Sequence, residues 1–346
     1  MLNSASKNTY QDAQSDLDLS ALHDILQVGK AYFVDKTNGS DTANTGLDSW
    51  ENAFATIQTA VTAASAGDTI YVLAGEITGT DTDPNSYAET VIIPVTKPSL
   101  SLIGISRGRT QGGLPQIKKG SGTTALLTVR APGCLIKNIG FNGIKTADST
   151  QTLVGILLDD DNSTKTAWGT TIEGCHFKNC AGSTGSTNGT AGGAITWAAT
   201  GCAWQVLIKG CRFYKNVADI VLLGTSQTVP QDVIIEDNIF SGPAANVDCN
   251  LYLAGGSGMN GVIIRNNVFQ QLPSLGTVAR YIDATGCVGM LVGNDFGCLT
   301  ANTGTTLTFL AAGTAAKIPT TMHVVRNYGQ SNTATESGEI NIGANS

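Results

Sequence analysis

Acidic and aromatic side chains recur beside one apolar position in a series of short strand-like segments. If Ile220, Leu251 and Ile282 point inward, strand alternation places their neighbours outward on one face. Those neighbours are Asp219, Asn250 and Tyr281 before the apolar residue, and Val221, Tyr252 and Asp283 after it. Aromatic rings beside carboxylates suit a sugar-binding groove, and paired carboxylates at a suitable separation can cleave glycosidic bonds. Asp219 and Asp283 are therefore candidate catalytic residues, whereas Tyr252, Tyr281 and Asn250 are candidate ligand-binding residues.

The same face has two other interpretations. Tyrosine is also enriched at contacts between subunits, so these residues suit a subunit interface equally well. An inert surface is the third possibility. We favour an interface or an inert surface over a catalytic groove.

One acidic run, Asp159, Asp160 and Asp161, is a weak candidate for a calcium site. Calcium takes six to eight oxygen ligands, and carboxylates in a loop can supply several of them. No distinctive arginine motif accompanies the run, although Lys165 is close. A solvated acidic turn is the preferred interpretation, and no metal or other cofactor is predicted.

The elements that would position these residues are set by a repeat in which phenylalanine follows an aliphatic residue by five positions. The phenylalanines are spaced 36, 36, 27, 29 and 27 residues apart, with loops of varying length between copies. Such self-similarity predicts a solenoid with one continuous core. The copies are Ile136–Phe141, Ile172–Phe177, Ile208–Phe213, Ile235–Phe240, Ile264–Phe269 and Leu291–Phe296.

Two other positions of the repeat have structural explanations. The position three after the aliphatic residue holds Asn238, Asn267 and Asn294 in the later copies, and stacked amides can pass hydrogen bonds between neighbouring coils. At the position one after the aliphatic residue, positive and negative side chains alternate from copy to copy. This alternation predicts a ladder of opposite charges that fixes strand register. The ladder residues are Lys137, Glu173, Lys209, Glu236 and Arg265.

Residues 32–105 carry a family resemblance. The segments YFVD, GSD, AFATIQTAV, AGDTIYVLAG and LIGI resemble the N-terminal region of right-handed parallel β-helix proteins of the pectin-lyase-like superfamily. The resemblance covers roughly residues 31–330. It implies an all-β, single-stranded right-handed parallel β-helix, of the kind found in phage tailspike and decoration proteins. The fold hosts lyases, hydrolases, tailspikes and inert structural proteins, so it implies no single activity.

The expected organisation is an N-terminal arm, residues 1–30, followed by one β-helix domain, residues 31–346. Within that domain we expect a capping helix at about residues 50–64, coils at about 67–330 and a C-terminal tail. The helical spacing of apolar residues in the arm predicts a short helix over 15–28. Its apolar residues are candidates for docking onto a partner: Leu17, Leu19, Leu22 and Leu26.

Composition excludes several functional classes. The net charge is −7 and no basic run occurs, so nucleic-acid binding is not expected. No run of 18 apolar residues occurs, so no membrane insertion is expected. The polar N-terminus carries no secretory signal. The eight cysteines lack metal-type spacing and are interpreted as buried core residues.

These observations favour a virion structural protein of a tailed phage, made in the host cytoplasm and found in the virion. It would be an exterior decoration or a fibre- or spike-like protein. It would form a homotrimer and dock onto capsid or tail proteins through residues 1–30. One alternative is a carbohydrate-active enzyme, namely a polysaccharide lyase or a glycoside hydrolase acting as a tailspike-like depolymerase. A second alternative is a non-catalytic adhesin module that binds a surface glycan. Enzymatic activity is left open, with the balance against it.

Overall fold

A computed structural model describes the greater part of the 346-residue chain. The described residues are 29–75, 86–106, 113–118, 125–143, 154–159, 167–180, 193–197, 204–222, 230–242, 247–253, 259–271, 278–298, 318–319, 321–330 and 337–340.

Short strands of the described chain form three sheets. In sheet A, ten parallel strands follow one another in chain order: Ala31–Val34, Thr69–Leu73, Ser101–Ile105, Leu135–Lys137, Thr171–Glu173, Leu207–Lys209, Ile234–Glu236, Val262–Arg265, Gly289–Val292 and Met322–Val325. Sheet B has ten strands and is parallel except at its last pair: Tyr87–Ala88, Gln116–Lys118, Gly140–Asn142, His176–Lys178, Arg212–Tyr214, Ile239–Phe240, Val268–Gln271, Asp295–Cys298, Asn327–Gln330 and Ser337–Ile340. Sheet C has seven parallel strands: Val91–Ile93, Leu127–Val129, Ile156–Leu158, Ile195–Trp197, Ile220–Val221, Val247–Tyr252 and Val278–Asp283.

The chain visits the sheets in the order A, B, C and then returns to sheet A one rung further along. Each strand pairs with the equivalent strand of the next coil, so that Ile136 aligns with Ile172 and Ile172 aligns with Ile208. Stacked coils of this kind make the chain a right-handed parallel β-helix, as the repeat and the resemblance predict.

The corner between sheets A and B depends on one left-handed residue per coil. The residue directly after the sheet A strand has a positive φ in seven coils, with values from 49° to 68°. Glycine, asparagine and aspartate tolerate this conformation best, and they occupy six of the seven positions. The positions are Asn138, Gly174, Gly210, Asp237, Asn266, Gly293 and Arg326. This turn brings the end of a sheet A strand beside the start of a sheet B strand.

Stacked phenylalanines run along the core, as the repeat predicts. Successive rings from Phe141 to Phe296 lie 4.6–5.0 Å apart between centroids, and their planes are nearly parallel. This spacing matches the separation of about 4.8 Å between adjacent strands. The rings are therefore core residues and cannot serve as a carbohydrate-stacking surface.

The predicted asparagine ladder is present and extends one coil further than expected. The Nδ2 amide of Asn238 donates to Asn267 Oδ1 at 3.0 Å, Asn267 donates to Asn294 at 2.9 Å, and Asn294 donates to Asn327 at 2.9 Å. In earlier coils, Cys175 and Cys211 take the same position and direct their thiols toward backbone carbonyls. Six cysteines of the described chain are free and buried, in agreement with their predicted role in the core.

The N-terminal end of the core is covered by a helix shorter than predicted. The helix spans Ile57–Ala63, and Trp50–Asn52 forms a separate 3-10 turn. The helix begins late because the Thr56 side chain caps it by accepting a hydrogen bond from Thr59 N, and because Glu89 accepts from Ile57 N and Gln58 N. Ile57, Ala60 and Val61 face the core. No helix within the described ranges is long and apolar enough to cross a membrane.

Candidate functional site

Two of the predicted sets of residues align across neighbouring strands of sheet C, as expected. Ile220, Leu251 and Ile282 align and are buried in the core. Val221, Tyr252 and Asp283 align in the next row of sheet C. The prediction of an open face beside these strands is nevertheless wrong. Asp219, Asn250, Tyr281 and Asp283 are all buried, and Tyr252 is half-buried.

Tyr281 faces the core and not the solvent. Its ring lies 5.6 Å from the rings of both Phe269 and Phe296. Asp219 lies in a bend one residue before the strand Ile220–Val221. Side-chain alternation holds only along an extended strand, and the chain turns a corner between sheets B and C at this point. The corner accounts for the buried Asp219, whereas Tyr281 lies inside the strand Val278–Asp283 and is buried beside Ile282, against the alternation expected along that strand.

Asp219 is held by two amides within this buried corner. The Nδ2 groups of Asn216 and Asn250 donate to its two carboxylate oxygens at 2.9 and 2.7 Å. Burial raises the pKa of Asp219 to about 6, and the two amide hydrogen bonds only partly offset the effect. Asp283 accepts hydrogen bonds from Thr285 N and Thr285 Oγ1, as a residue that shapes a turn does. A substrate has no open access to either carboxylate, so their assignment as a catalytic pair stays a prediction without geometric support.

The structure describes only some of the residues of the other predicted sites. Asp159 accepts from Arg130 Nε at 2.8 Å, whereas Asp160 and Asp161 lie outside the described residues. Among the residues that the structure describes, no group of three or more His, Cys, Asp or Glu side chains is placed to hold a metal ion. The docking candidates Leu17, Leu19, Leu22 and Leu26, and the helix expected over 15–28, also lie outside the described residues.

The structure instead presents a cleft at the corner between sheets A and B. This corner cleft has a volume of about 260 Å³ and is lined by Leu114, Lys137, Asn138, Glu173, Gly174, Cys175, His176, Lys209, Gly210 and Arg212. Its charged groups come from two sheets. Lys137, Glu173 and Lys209 end neighbouring strands of sheet A, and His176 and Arg212 begin neighbouring strands of sheet B. The left-handed corner residues bring the two sets together.

The predicted charge ladder forms one wall of the corner cleft. Lys137 Nζ lies 3.1 Å from Glu173 Oε1, and Lys209 Nζ lies 3.2 Å from Glu236 Oε1. Glu236 is also paired with Arg265, which is outside the cleft lining. Burial opposes ionisation of Glu236, but hydrogen bonds from Arg265 and Lys209 outweigh it and lower its pKa. Glu236 is therefore an ionised structural carboxylate and a poor proton donor.

The opposite wall holds His176 and Arg212, which lie side by side in the register of two adjacent strands of sheet B. Burial, together with the charges of Lys178 and Arg212, lowers the pKa of His176 to about 4. The imidazole is therefore neutral at pH 7. Arg212 is exposed, and it makes no ion pair with any carboxylate in the described part of the chain.

The charge in the corner cleft differs in sign from that of the whole chain. Lys137, Lys209 and Arg212 supply three cations against the single carboxylate of Glu173. The whole chain carries −7. A local excess of positive charge in a concave site attracts anions. The sequence predicted the charge ladder but not the cleft. Lys209 and Arg212 are three residues apart across the corner at Gly210, and this spacing could have indicated that they share one site.

The chain was compared with known proteins. No protein-family model matches the chain, and no curated protein sequence is similar to it. Among solved structures, a lacto-N-biosidase from Eubacterium ramulus is 12% identical over 85% of this chain and 66% of its own, with a TM-score of 0.43. A rhamnogalacturonan lyase is 12% identical over 90% and 89%, with a TM-score of 0.44. PfbA, a surface adhesin of Streptococcus pneumoniae, is 11% identical over 77% and 78%, with a TM-score of 0.29.

Proposed function

We propose that this chain binds an acidic polysaccharide in the corner cleft. The observation that carries the proposal is the exposed Arg212, which has no carboxylate partner among the described residues and stands with Lys209 and Lys137 in one concave site. A guanidinium binds a carboxylate or a sulfate through two parallel hydrogen bonds, and nearby ammonium groups add charge without fixing geometry. The chain, at net charge −7, retains a cationic site where an anionic ligand fits.

A polymer suits this site better than a small anion does. The cleft residues repeat from coil to coil, since Lys137, Glu173 and Lys209 occupy one register position on three neighbouring strands. Adjacent strands are about 4.8 Å apart, so Lys137 and Lys209, two rungs apart, are separated by about 10 Å along the helix axis. A polysaccharide with carboxylates at such a repeat contacts both lysines and leaves a neutral part of the polymer beside Glu173. Nucleic acid is a poor match, because the wall alternates in sign and no larger basic stripe accompanies it.

The proposal is tested with two charge-removing variants that form a matched pair. Lys209 and Arg265 both pair with Glu236, but only Lys209 lines the corner cleft. We expect Lys209→Met to raise the Kd for polygalacturonate or alginate about fivefold, and Arg265→Met to leave it unchanged. Isothermal titration at low ionic strength measures both. Equal Kd values for the wild type and Lys209→Met would exclude the corner cleft as the site.

Cleavage of the bound polysaccharide by β-elimination is a second candidate function, favoured by the placement of His176 beside Arg212 on adjacent strands. An imidazole nitrogen would accept the proton next to the uronate carboxylate, while Arg212 would neutralise that carboxylate. The electron pair of the broken C–H bond forms the new C=C bond as the glycosidic C–O bond breaks, and the leaving oxygen takes a proton from water. Ultraviolet absorbance of an unsaturated product, lost in His176→Gln, would support cleavage. Binding without such absorbance would leave the chain a glycan-binding module.

The expectation of a virion structural protein rests on other parts of the chain. It depends on the docking arm, residues 1–30, of which only Gly29 and Lys30 are described. Homotrimer formation and attachment to capsid or tail proteins stay predictions. Deletion of residues 2–30 should abolish incorporation into particles if the arm docks, and unchanged incorporation would contradict that role.

A further inference from the structure

Two exposed tryptophans occupy equivalent positions on neighbouring coils. Gly133 N donates to Trp168 O at 2.8 Å, and Gly169 N donates to Trp204 O at 2.7 Å, so the two residues lie one rung apart in the turn before sheet A. Trp168 is 46% exposed and Trp204 is 44% exposed. The chain has only four tryptophans, and two of them form this tryptophan column. Large aromatic side chains gain stability by burial, so a repeated exposed pair indicates a binding surface.

The surroundings of the tryptophan column favour a narrow ligand. The residues that follow Pro132, Trp168 and Trp204 in this turn are Gly133, Gly169 and the exposed Gln205, so two of the three positions carry no side chain. Pro132 and Gln231 occupy the flanking rungs and are half-buried. A stable protein interface buries about 800 Å² on each partner, far more than a strip two residues long provides. A sugar ring is a better match, because its flat C–H face packs against an aromatic face while its hydroxyl groups remain hydrated.

The column lies on the same two coils as the corner cleft. Trp168 is five residues before Glu173, and Trp204 is five residues before Lys209. Each pair is separated by at most about 17 Å of extended chain. The two features therefore sit at opposite ends of the strands Thr171–Glu173 and Leu207–Lys209. A saccharide lying across the outer face of sheet A reaches both.

We infer that Trp168 and Trp204 form a sugar-stacking subsite that extends the corner cleft. This inference rests on the proposed function and adds a requirement about the ligand. The ligand is an oligosaccharide that places the flat C–H face of one ring on the tryptophan column and the carboxylate of another ring at Lys209 and Arg212. Stacking is insensitive to the ligand's charge, whereas binding in the cleft depends on it. The two contributions can therefore be separated.

The test uses polygalacturonate and its carboxyl-reduced, uncharged form as probes. Trp168→Ala/Trp204→Ala should weaken binding of both probes about tenfold, because ring stacking does not need the carboxylate. Lys209→Met should weaken binding of the acidic probe alone. Tyr328→Ala removes an exposed aromatic ring from a distant coil and should change neither. Isothermal titration supplies the affinities, and circular dichroism verifies that each variant is folded.

The outcomes distinguish the two proposals. Wild-type affinity of the double tryptophan variant for both probes would overturn the subsite and leave the corner cleft intact. Loss of binding in the tryptophan variant, with Lys209→Met unaffected on the acidic probe, would support the subsite and overturn the proposed cleft. Binding of neither probe by the wild type would overturn both. Sedimentation that shows the tryptophan variant dissociating from a wild-type oligomer would identify the column as a subunit contact and overturn the subsite.

Discussion

The Nδ2 amide of Asn250 donates a 2.7 Å hydrogen bond to Oδ2 of Asp219, inside the corner between sheets B and C. The amide of Asn216 donates to the other carboxylate oxygen at 2.9 Å. Asn250 Oδ1 is buried without a hydrogen-bond partner among the described residues. An amide at position 219 could donate to that oxygen if the Asn250 amide rotates by half a turn. The corner is therefore built to accept an uncharged side chain.

The first prediction concerns the pH dependence that Asp219 contributes. Burial raises its pKa from 3.8 to about 6, so the folded chain keeps a proton that the unfolded chain has lost between these values. The contribution to stability is full below about pH 4 and is lost as pH rises through 6, a change of about 3 kcal/mol. Asp219→Asn should remove this contribution to the pH dependence of stability and fold normally. Chemical denaturation across that pH range measures the change, and an unaltered slope would contradict the burial of a titrating carboxylate.

The second prediction concerns His176, whose shift has the opposite sign. Its pKa falls from 6.5 to about 4, because burial, Lys178 and Arg212 disfavour the imidazolium. The contribution of His176 to the free energy of unfolding is full above pH 6.5 and is lost as pH falls through 4. This change also amounts to about 3 kcal/mol. In the wild type the two groups nearly cancel. We expect His176→Gln to make stability fall with rising pH, and Asp219→Asn to make it rise. Parallel slopes in the two variants would contradict this assignment.

Most of the fold followed from the sequence because the core positions recur at fixed local spacing. The aliphatic-to-phenylalanine interval predicted one continuous core, to which Ile172 and Phe177 both belong, and the alternating charges of Lys137 and Glu173 predicted the strand register. Prediction failed at two places beside or within sheet C. Asp219 lies in the bend before its strand, where alternation does not apply, and Tyr281 is buried beside Ile282 within the strand Val278–Asp283, where alternation placed it outward.

The candidate site was harder to predict than the fold. The corner cleft combines residues of sheet A with Arg212 and His176 of sheet B, and only the geometry of the turn shows that they share one concavity. Trp168 and Trp204 are 36 residues apart, equal to one coil, but neither belongs to the aliphatic-to-phenylalanine repeat. Their alignment becomes visible through the backbone hydrogen bond from Gly169 to Trp204.

The third prediction tests the asparagine ladder. Asn267 Oδ1 accepts from the backbone N and the Nδ2 of Asn238, and its own Nδ2 donates to Ile235 O and Asn294 Oδ1. Asn267→Ala leaves buried donors and acceptors without partners and should lower the free energy of unfolding by about 4 kcal/mol. Cys175→Ala changes the equivalent position of another coil, where a thiol makes only weak contacts. Cys175→Ala should lower the free energy of unfolding by about 1 kcal/mol. Similar losses in the two variants, measured by denaturant titration, would argue against a special contribution from the ladder.

The fourth prediction concerns how salt weakens binding of an acidic polysaccharide in the corner cleft. A highly charged polymer releases condensed counterions when protein cations replace them, so the logarithm of its binding constant falls linearly with the logarithm of salt concentration. Each contacting cation contributes about 1 to that slope. Lys209→Met should reduce the slope for polygalacturonate by about 1. Arg265→Met should leave the slope unchanged, although it removes the same charge from the same Glu236 partner. Equal reductions in both variants would mean that the polymer senses the field of the whole ladder and does not contact Lys209 in the cleft.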